Sequence, residues 1–325
     1  MPVIDVHTHM LTPEFVQTLV ERSGTYTVKD TPGGRVVQRA GAPFLSLTEA
    51  MFDYDMRLRA MDDAGVDIAI VSLTCPNVYW GDAATSLEVA RLTNDAMADA
   101  QQRHPERIRF LASLPWQHPD LAVKELDRAC AAGAVGVMVL ANIDGVSLTD
   151  PRFADVWAAI DARGLPVLVH PTTPPGVENL DMARYHMVWS VGFTFDTTLA
   201  LTRMILDGFF DRHSQVKIIG GHAGGTLPFL MGRLDAGHRS FESVRERIEA
   251  LPSTYADRIY LDSIVYTPET LAFTVDVFGA DHVLYGTDYP HKNGKMQEII
   301  DIVGTLPAEQ RELVYGGNAQ RLFGL

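Results

Sequence analysis

Residues 153–170 read FADVWAAIDARGLPVLVH, and the parsing of this stretch decides the fold. Its first part, Phe153–Arg163, spaces Phe153, Val156, Trp157 and Ile160 as one face of a helix. Gly164 then ends the helix, and Pro166–His170 follows as a run that is apolar on both faces up to its last residue. A strand with no polar face has to be covered on both sides, as parallel strands flanked by helices are.

The same unit recurs from end to end. Eight candidate strands are read at Val3–Met10, Asp67–Leu73, Ile108–Pro115, Gly136–Leu140, Pro166–His170, Val216–His222, Ile259–Ser263 and Val283–Asp288. Helical patterns fall between them at Leu47–Ala64, Leu87–Arg103, Leu121–Ala131, Phe153–Arg163, Thr197–Asp211, Leu227–Ile248 and Pro268–Val277. Eight repeats of strand and helix predict an α/β fold, a (β/α)8 TIM-like barrel. A doubly wound sheet is the other reading, but no Gly-rich phosphate loop follows an early strand. With 325 residues and 46% hydrophobic content, a single barrel domain spanning 1–325 is expected. Two insertions break the rhythm, at 11–46 after strand one and 171–196 after strand five. The first contains Val28–Val37, read as a hairpin turning at Pro32-Gly33-Gly34. Both leave the C-terminal ends of strands, the face on which barrels carry their sites, so both are read as pocket walls or lids.

The formal net charge of −14, with no basic block, argues against a nucleic-acid partner. No apolar run approaches the ~20 residues of a membrane helix, and no signal-like leader precedes Val3. The only two cysteines, Cys75 and Cys130, lie in apolar surroundings outside any CxxC pair and are read as buried small residues. These features predict a reduced, cytoplasmic protein.

The chemistry begins at Asp5-Val6-His7-Thr8-His9. Alternate strand residues share a face, so His7 and His9 point the same way. Two adjacent imidazoles suit a divalent ion; alone they are read equally well as polar residues on a half-exposed strand. The other strand ends change the balance. Strand five ends on His170, strand six on His222 and strand eight on Asp288. Metal-ligand and acid–base residues converging on one end of a barrel predict a metal site. His104, His118, His213 and His282 lie at helix ends, in loops or before a strand, and are assigned to surface or capping roles. His186 and His291 remain open as pocket residues, and Asp262 as either a support of the site or a helix cap. Asp5 shares the HxH face lower in the barrel, and Arg233 and Asp235 are expected to pair with each other.

With these motifs assembled, the chain resembles the amidohydrolase superfamily, in particular the branch of aminocarboxymuconate-semialdehyde decarboxylase and related aromatic-acid decarboxylases. The resemblance runs from His7 and His9 through Met61-Asp62-Asp63-Ala64-Gly65-Val66-Asp67, His170-Pro171 and Gly221-His222-Ala223-Gly224-Gly225. It continues through Gly232-Arg233-Leu234-Asp235, Leu261-Asp262-Ser263, Gly286-Thr287-Asp288-Tyr289-Pro290 and Gly317-Asn318-Ala319. It implies one divalent ion, zinc first and manganese second, held by His7, His9, His170 and Asp288, with His222 beside it. Relatives with two metals place a carboxylated lysine at the end of strand four; Gly136–Leu140 has none. The resemblance also suggests a homodimer. One departure concerns the substrate. An arginine that the muconate-semialdehyde enzymes use is missing from the stretch 42–46, and Phe241 stands about where a second would be. The pocket is therefore expected to be more apolar, with Phe44, Tyr79, Trp80 and Trp189 as candidate walls.

The expected reaction is non-oxidative decarboxylation of an aromatic or unsaturated carboxylic acid, a carbon–carbon lyase activity. His222 and Asp288 are the catalytic residues, with His222 as general acid/base. The alternatives are hydrolysis of a lactone, amide or ester, or hydration, on the same residues. A metal-binding structural or sensory protein is the non-enzymatic reading.

Overall fold

The computed structural model describes residues 1–182 and 184–325; position 183, inside the predicted 171–196 insertion, lies outside the described residues. Eight parallel strands form the centre: β1 (Ile4–His9), β2 (Ile68–Ser72), β3 (Ile108–Ser113), β4 (Gly136–Leu140), β5 (Pro166–His170), β6 (Lys217–Gly220), β7 (Ile259–Asp262) and β8 (Val283–Leu284). Each pairs with the next in chain order. The ring closes between β1 and the segment after β8. Val6 N–H donates to Tyr285 O at 3.0 Å, Asp288 N–H to His7 O at 2.8 Å and His9 N–H to Tyr289 O at 2.8 Å. The (β/α)8 barrel read from the sequence is the observed fold.

The barrel interior is apolar because every strand buries both faces. Ile4, Ile70, Leu111, Met138, Leu168, Ile219 and Leu284, from seven different strands, form one buried cluster. His170 lies two residues beyond Leu168 and shares its face, so it points inward above this layer. A larger cluster centred on Trp116, Trp157, Phe209 and Phe210 packs outer strand faces against helices. The two clusters fix the strand ends rigidly, and the site is built on those ends.

Helix boundaries follow local chemistry. The helix predicted from Leu47 begins at Tyr54, where the Asp53 carboxylate accepts from Met56 N–H, and ends at Gly65 with φ 72°. The helix predicted from Leu87 starts earlier, at Ala83, with Asp82 as cap. The predicted Thr197–Asp211 helix is two pieces, Phe193–Leu206 and Phe209–Arg212, separated at Gly208 (φ 65°). The predicted Leu227–Ile248 helix stops at Ser240. In the first insertion the hairpin is a three-stranded antiparallel sheet, Tyr26–Thr31, Gly34–Arg39 and Ala42–Ser46, preceded by the helix Pro13–Arg22. The third strand escapes sequence reading because Pro43 lies inside it. Cys75 is buried as expected, but Cys130 is only half-buried; both are free. Among the described residues no helix is long and apolar enough to cross a membrane.

Two site residues do not end strands as predicted. β6 stops at Gly220 and β8 at Leu284, and His222 (φ 53°) and Asp288 (φ 60°) sit in left-handed turns beyond them. Positive φ is incompatible with a strand. His222 opens four consecutive left-handed residues, with φ 53°, 53°, 69° and 67° at 222–225. The last has to be glycine, since a Cβ on Gly225 would overlap the Thr194 carbonyl.

Candidate metal centre

β1 supplies His7 and His9, β5 supplies His170, and the turn after β8 supplies Asp288. One ligand atom from each lies within 4.8 Å of the other three, and all four residues are buried. Each ring is held by its far nitrogen. His7 Nδ1–H donates to Asp262 Oδ2 at 2.6 Å and His170 Nδ1–H to Pro171 O at 2.7 Å. His9 Nδ1–H donates to Ser72 Oγ at 3.2 Å, while the Ser72 hydroxyl donates to Thr8 O at 3.4 Å. These bonds assign the proton to Nδ1 in all three rings and leave every Nε2 lone pair facing the cluster.

The Nε2 atoms of His7 and His170 are buried without any hydrogen-bond partner. Buried polar atoms are rarely left so, and three converging imidazole lone pairs with a carboxylate are what a divalent ion requires. Burial drives His9 down to about 3, and burial with the neighbouring rings takes His170 well below its usual value. Both therefore stay neutral, as ligands must. Burial alone would raise Asp288, but the histidines around it, His291 first, hold it well below the usual carboxylate range. The residues fit one ion, and β4 offers no lysine for a second.

Asp262, the residue left open between support and cap, supports the site. Its Oδ2 accepts from His7 Nδ1–H (2.6 Å) and His222 N–H (2.8 Å), and its Oδ1 accepts from Ala223 N–H (2.8 Å) and Ile264 N–H (3.0 Å). It fixes the His7 tautomer and the left-handed turn together. Burial would raise this carboxyl, but the His7 hydrogen bond and nearby charges keep it below its ordinary value. Asp5 lies deeper, accepting from His7 N–H at 3.2 Å and the Thr287 hydroxyl at 2.6 Å; burial pushes it up to about 7.

Asp288 faces two ways. Oδ1 is 3.1 Å from His9 Nε2 and 3.7 Å from His7 Nε2, while Oδ2 is 3.6 Å from His222 Nε2. Burial would lower His222, yet Asp288 draws it above its usual value. Asn293 Nδ2 donates to Asp288 Oδ2 at 3.3 Å. His291 reaches the site: its Nε2 is 3.1 Å from Thr74 Oγ1, and its ring is 5.2 Å from that of His9. His186 does not; it is exposed. His104, His118 and His213 flank helix ends and His282 precedes β8, as expected. Asp235 accepts from Ser253 and lies 3.8 Å from Arg239, so the predicted Arg233 pair is not its partner.

A cavity of about 460 Å³ opens at His222, with Trp189 and Tyr266 among its walls. Phe44, Tyr79 and Trp80 do not line it; they pack with the first insertion around Phe15, Tyr26 and Val78.

The amidohydrolase family matches residues 4–325. The chain belongs to the amidohydrolase family. The 2-amino-3-carboxymuconate-6-semialdehyde decarboxylase of Dictyostelium discoideum is 30% identical over 339 residues, covering 99% of this chain and 91% of that protein. The solved 5-carboxyvanillate decarboxylase of Sphingomonas paucimobilis superposes with a TM-score of 0.85 at 27% identity, covering 100% of this chain and 99% of that one. A dihydroxybenzoic acid decarboxylase of Polaromonas sp., solved with manganese and the inhibitor 2-nitroresorcinol, gives a TM-score of 0.83 at 27% identity, covering 100% and 97%.

In this amidohydrolase Arg57 and Asn293 act at the site without having been singled out from the sequence, and Arg57 is the more deeply buried. It is fully buried, and its guanidinium donates to Thr8 Oγ1 (2.6 Å) and His9 O (2.5 Å) and lies 5.0 Å from the Tyr289 ring. It thus ties the end of β1 to the segment after β8, behind two ligands. The signal was present: Arg57 falls between Tyr54 and Met61 on the apolar face of its helix. Arg57→Met is expected to cost about 2 kcal/mol in urea unfolding, because the His9 carbonyl and the Thr8 hydroxyl lose a charged donor.

Proposed function

We propose that this amidohydrolase removes the carboxylate of an aromatic or unsaturated acid without redox change. One divalent ion is held by His7, His9, His170 and Asp288, and His222 carries the proton. The observation behind this reading is the two-sided setting of Asp288, with Oδ1 at the histidine cluster and Oδ2 3.6 Å from His222 Nε2. One decarboxylase similar over nearly the whole sequence and two that share its fold and length support the same chemistry.

When bound, the ion supplies Lewis-acid polarisation of the substrate carboxylate and a neighbouring hydroxyl. His222 Nε2 gives its proton to the ring carbon that bears the carboxylate. That carbon becomes tetrahedral, the C–C electron pair returns to the ring, and CO2 leaves. Water then reprotonates His222. Asp288 Oδ2 stabilises the charged imidazole before transfer, and Asn293 keeps Oδ2 turned toward it. The balance is one proton in, one CO2 out, and no oxidant.

The test is a panel of hydroxybenzoic acids with zinc- or manganese-loaded protein in D2O. CO2 release with one deuterium on the ring supports the reading. An ester, lactone or amide cleaved at a faster rate, with no CO2 from any acid, overturns it in favour of hydrolysis. Elemental analysis decides between zinc, the first expectation, and manganese. Chelation is expected to lower Tm by about 5 °C or more, reversed by adding either ion, because the ion binds only the folded chain.

We further propose a homodimer of single-domain chains, working in the reducing cytoplasm where Cys75 and Cys130 stay free. Phe195, Leu199 and Phe241 are 55%, 40% and 61% exposed, apolar surface that a second copy would cover. A mass near 35.8 kDa by light scattering would overturn the dimer.

A further inference from the structure

The cavity at His222 has walls unlike those of the metal centre it adjoins. Apart from His222, no carboxylate, lysine or arginine of the described residues lines it; Trp189, Phe193, Phe229, Ile264, Val265 and Phe273 supply most of the surface. It also carries threonines, but their hydroxyls are already engaged within the chain. Thr194 donates to Val191 O (2.8 Å), Thr274 to Thr270 O (2.9 Å), Thr267 and Thr270 bond each other (3.0 Å), and Thr226 bonds Thr198 (3.0 Å). The Tyr266 oxygen accepts from Asn293 at 3.1 Å. Ser190 likewise donates to His186 O (3.4 Å), so the walls are predominantly apolar to a ligand, with the Tyr266 O–H as the one hydroxyl proton whose acceptor is open among the lining residues.

We propose that this cavity is a subsite for an apolar substituent, so that the substrate is an aromatic monocarboxylate bearing an alkyl or aryl group rather than a dicarboxylate. This rests on the reading that the acid binds at the metal centre, since the substrate's reacting carbon must then lie within reach of His222. Two observations converge on it. The volume of about 460 Å³ exceeds the need of a bare ring and falls in the range of small-molecule sites. No Arg or Lys lines it to balance a second carboxylate, and an unpaired buried charge is strongly disfavoured.

The experiment compares 2-hydroxybenzoate, its 5-propyl and 6-propyl derivatives, and 2-hydroxyisophthalate. Binding is measured by calorimetry on zinc-loaded protein and turnover by CO2 release. Each methylene buried is worth about fourfold in affinity, so at least one propyl acid is expected to bind tenfold or more tighter than the parent. The dicarboxylate should bind more weakly than the parent. Thr270→Trp projects bulk into the cavity from its outer helix and is expected to bring the propyl-to-parent affinity ratio down to about one. Phe273→Ala, which removes wall surface, should lower the same ratio severalfold. Propyl acids that bind no tighter than the parent would overturn the subsite, as they would if a second copy of the chain occupied the cavity. So would a ratio that Thr270→Trp leaves intact. The two readings fail separately: a binding preference with no CO2 from any acid sinks the decarboxylase alone, and CO2 release with flat binding sinks the subsite alone.

Discussion

His222→Asn is expected to lose between about 10² and 10⁴ in kcat, the usual worth of a general acid or base, while retaining one ion per chain. The choice of asparagine matters. His222 sits at φ 53° in a turn of four left-handed residues, and asparagine tolerates that backbone better than alanine does. The turn is held through backbone N–H groups by Asp262, not through the imidazole. Its geometry should therefore survive, and the imidazole Nε2 opposite Asp288 Oδ2 is what disappears. The measurement pairs steady-state turnover with elemental analysis of the same sample. Full-rate turnover by a variant with normal metal content would remove His222 from the reaction. Loss of the ion as well would make it a ligand rather than a proton carrier.

Asp262→Asn is the second large effect, and it should look different. One carboxylate accepts from His7 Nδ1 and from three backbone N–H groups, at 222, 223 and 264. An amide offers a single oxygen and turns an NH2 toward donors. Either His7 loses the bond that keeps its Nε2 free, or the left-handed turn loses its anchor. Disturbing a partner of this kind is expected to weaken ion affinity 10- to 100-fold. Leaving buried donors unpaired costs a further ~1–3 kcal/mol of stability for each group. Metal titration and urea unfolding should move together here, whereas His222→Asn should move neither. Unchanged metal affinity in Asp262→Asn would mean that the His7 ring is fixed by packing alone.

The contrast between these two residues shows what the sequence makes visible. The eight strands were readable because runs apolar on both faces can mean only burial under helices, and the structure places a strand at every one. His7, His9 and His170 were readable because they lie within those runs, where side-chain direction follows from alternation. Asp288 and His222 were readable by residue type but not by backbone, since four successive positive φ angles leave little trace beyond Gly224 and Gly225. Asp262 divided evenly between two roles because its partners, His7 and the turn at 222–223, lie 255 and about 40 residues away. Arg57 went unremarked because its partners, Thr8 and His9, lie 49 and 48 residues away, and Asn293 because its turn toward Asp288, five residues back, follows no repeating pattern. Arg57 is marked only by its place on the apolar face of its helix, which shows burial but not the contact with β1.

The way the ring closes has a consequence for the birth of the protein. β8 contributes two residues, and the closing hydrogen bonds come from the segment that carries Asp288. His9 and Asp288, which face each other at 3.1 Å, are 279 residues apart. His7 and His9 leave the ribosome first, His170 after them, and Asp288 last of the four, 279 residues behind His9. A nascent chain therefore holds at most three imidazoles and an open wall. Tight capture of the ion and closure of the barrel become one event, so a chain that stalls before Asp288 presents neither a finished barrel nor a working metal site.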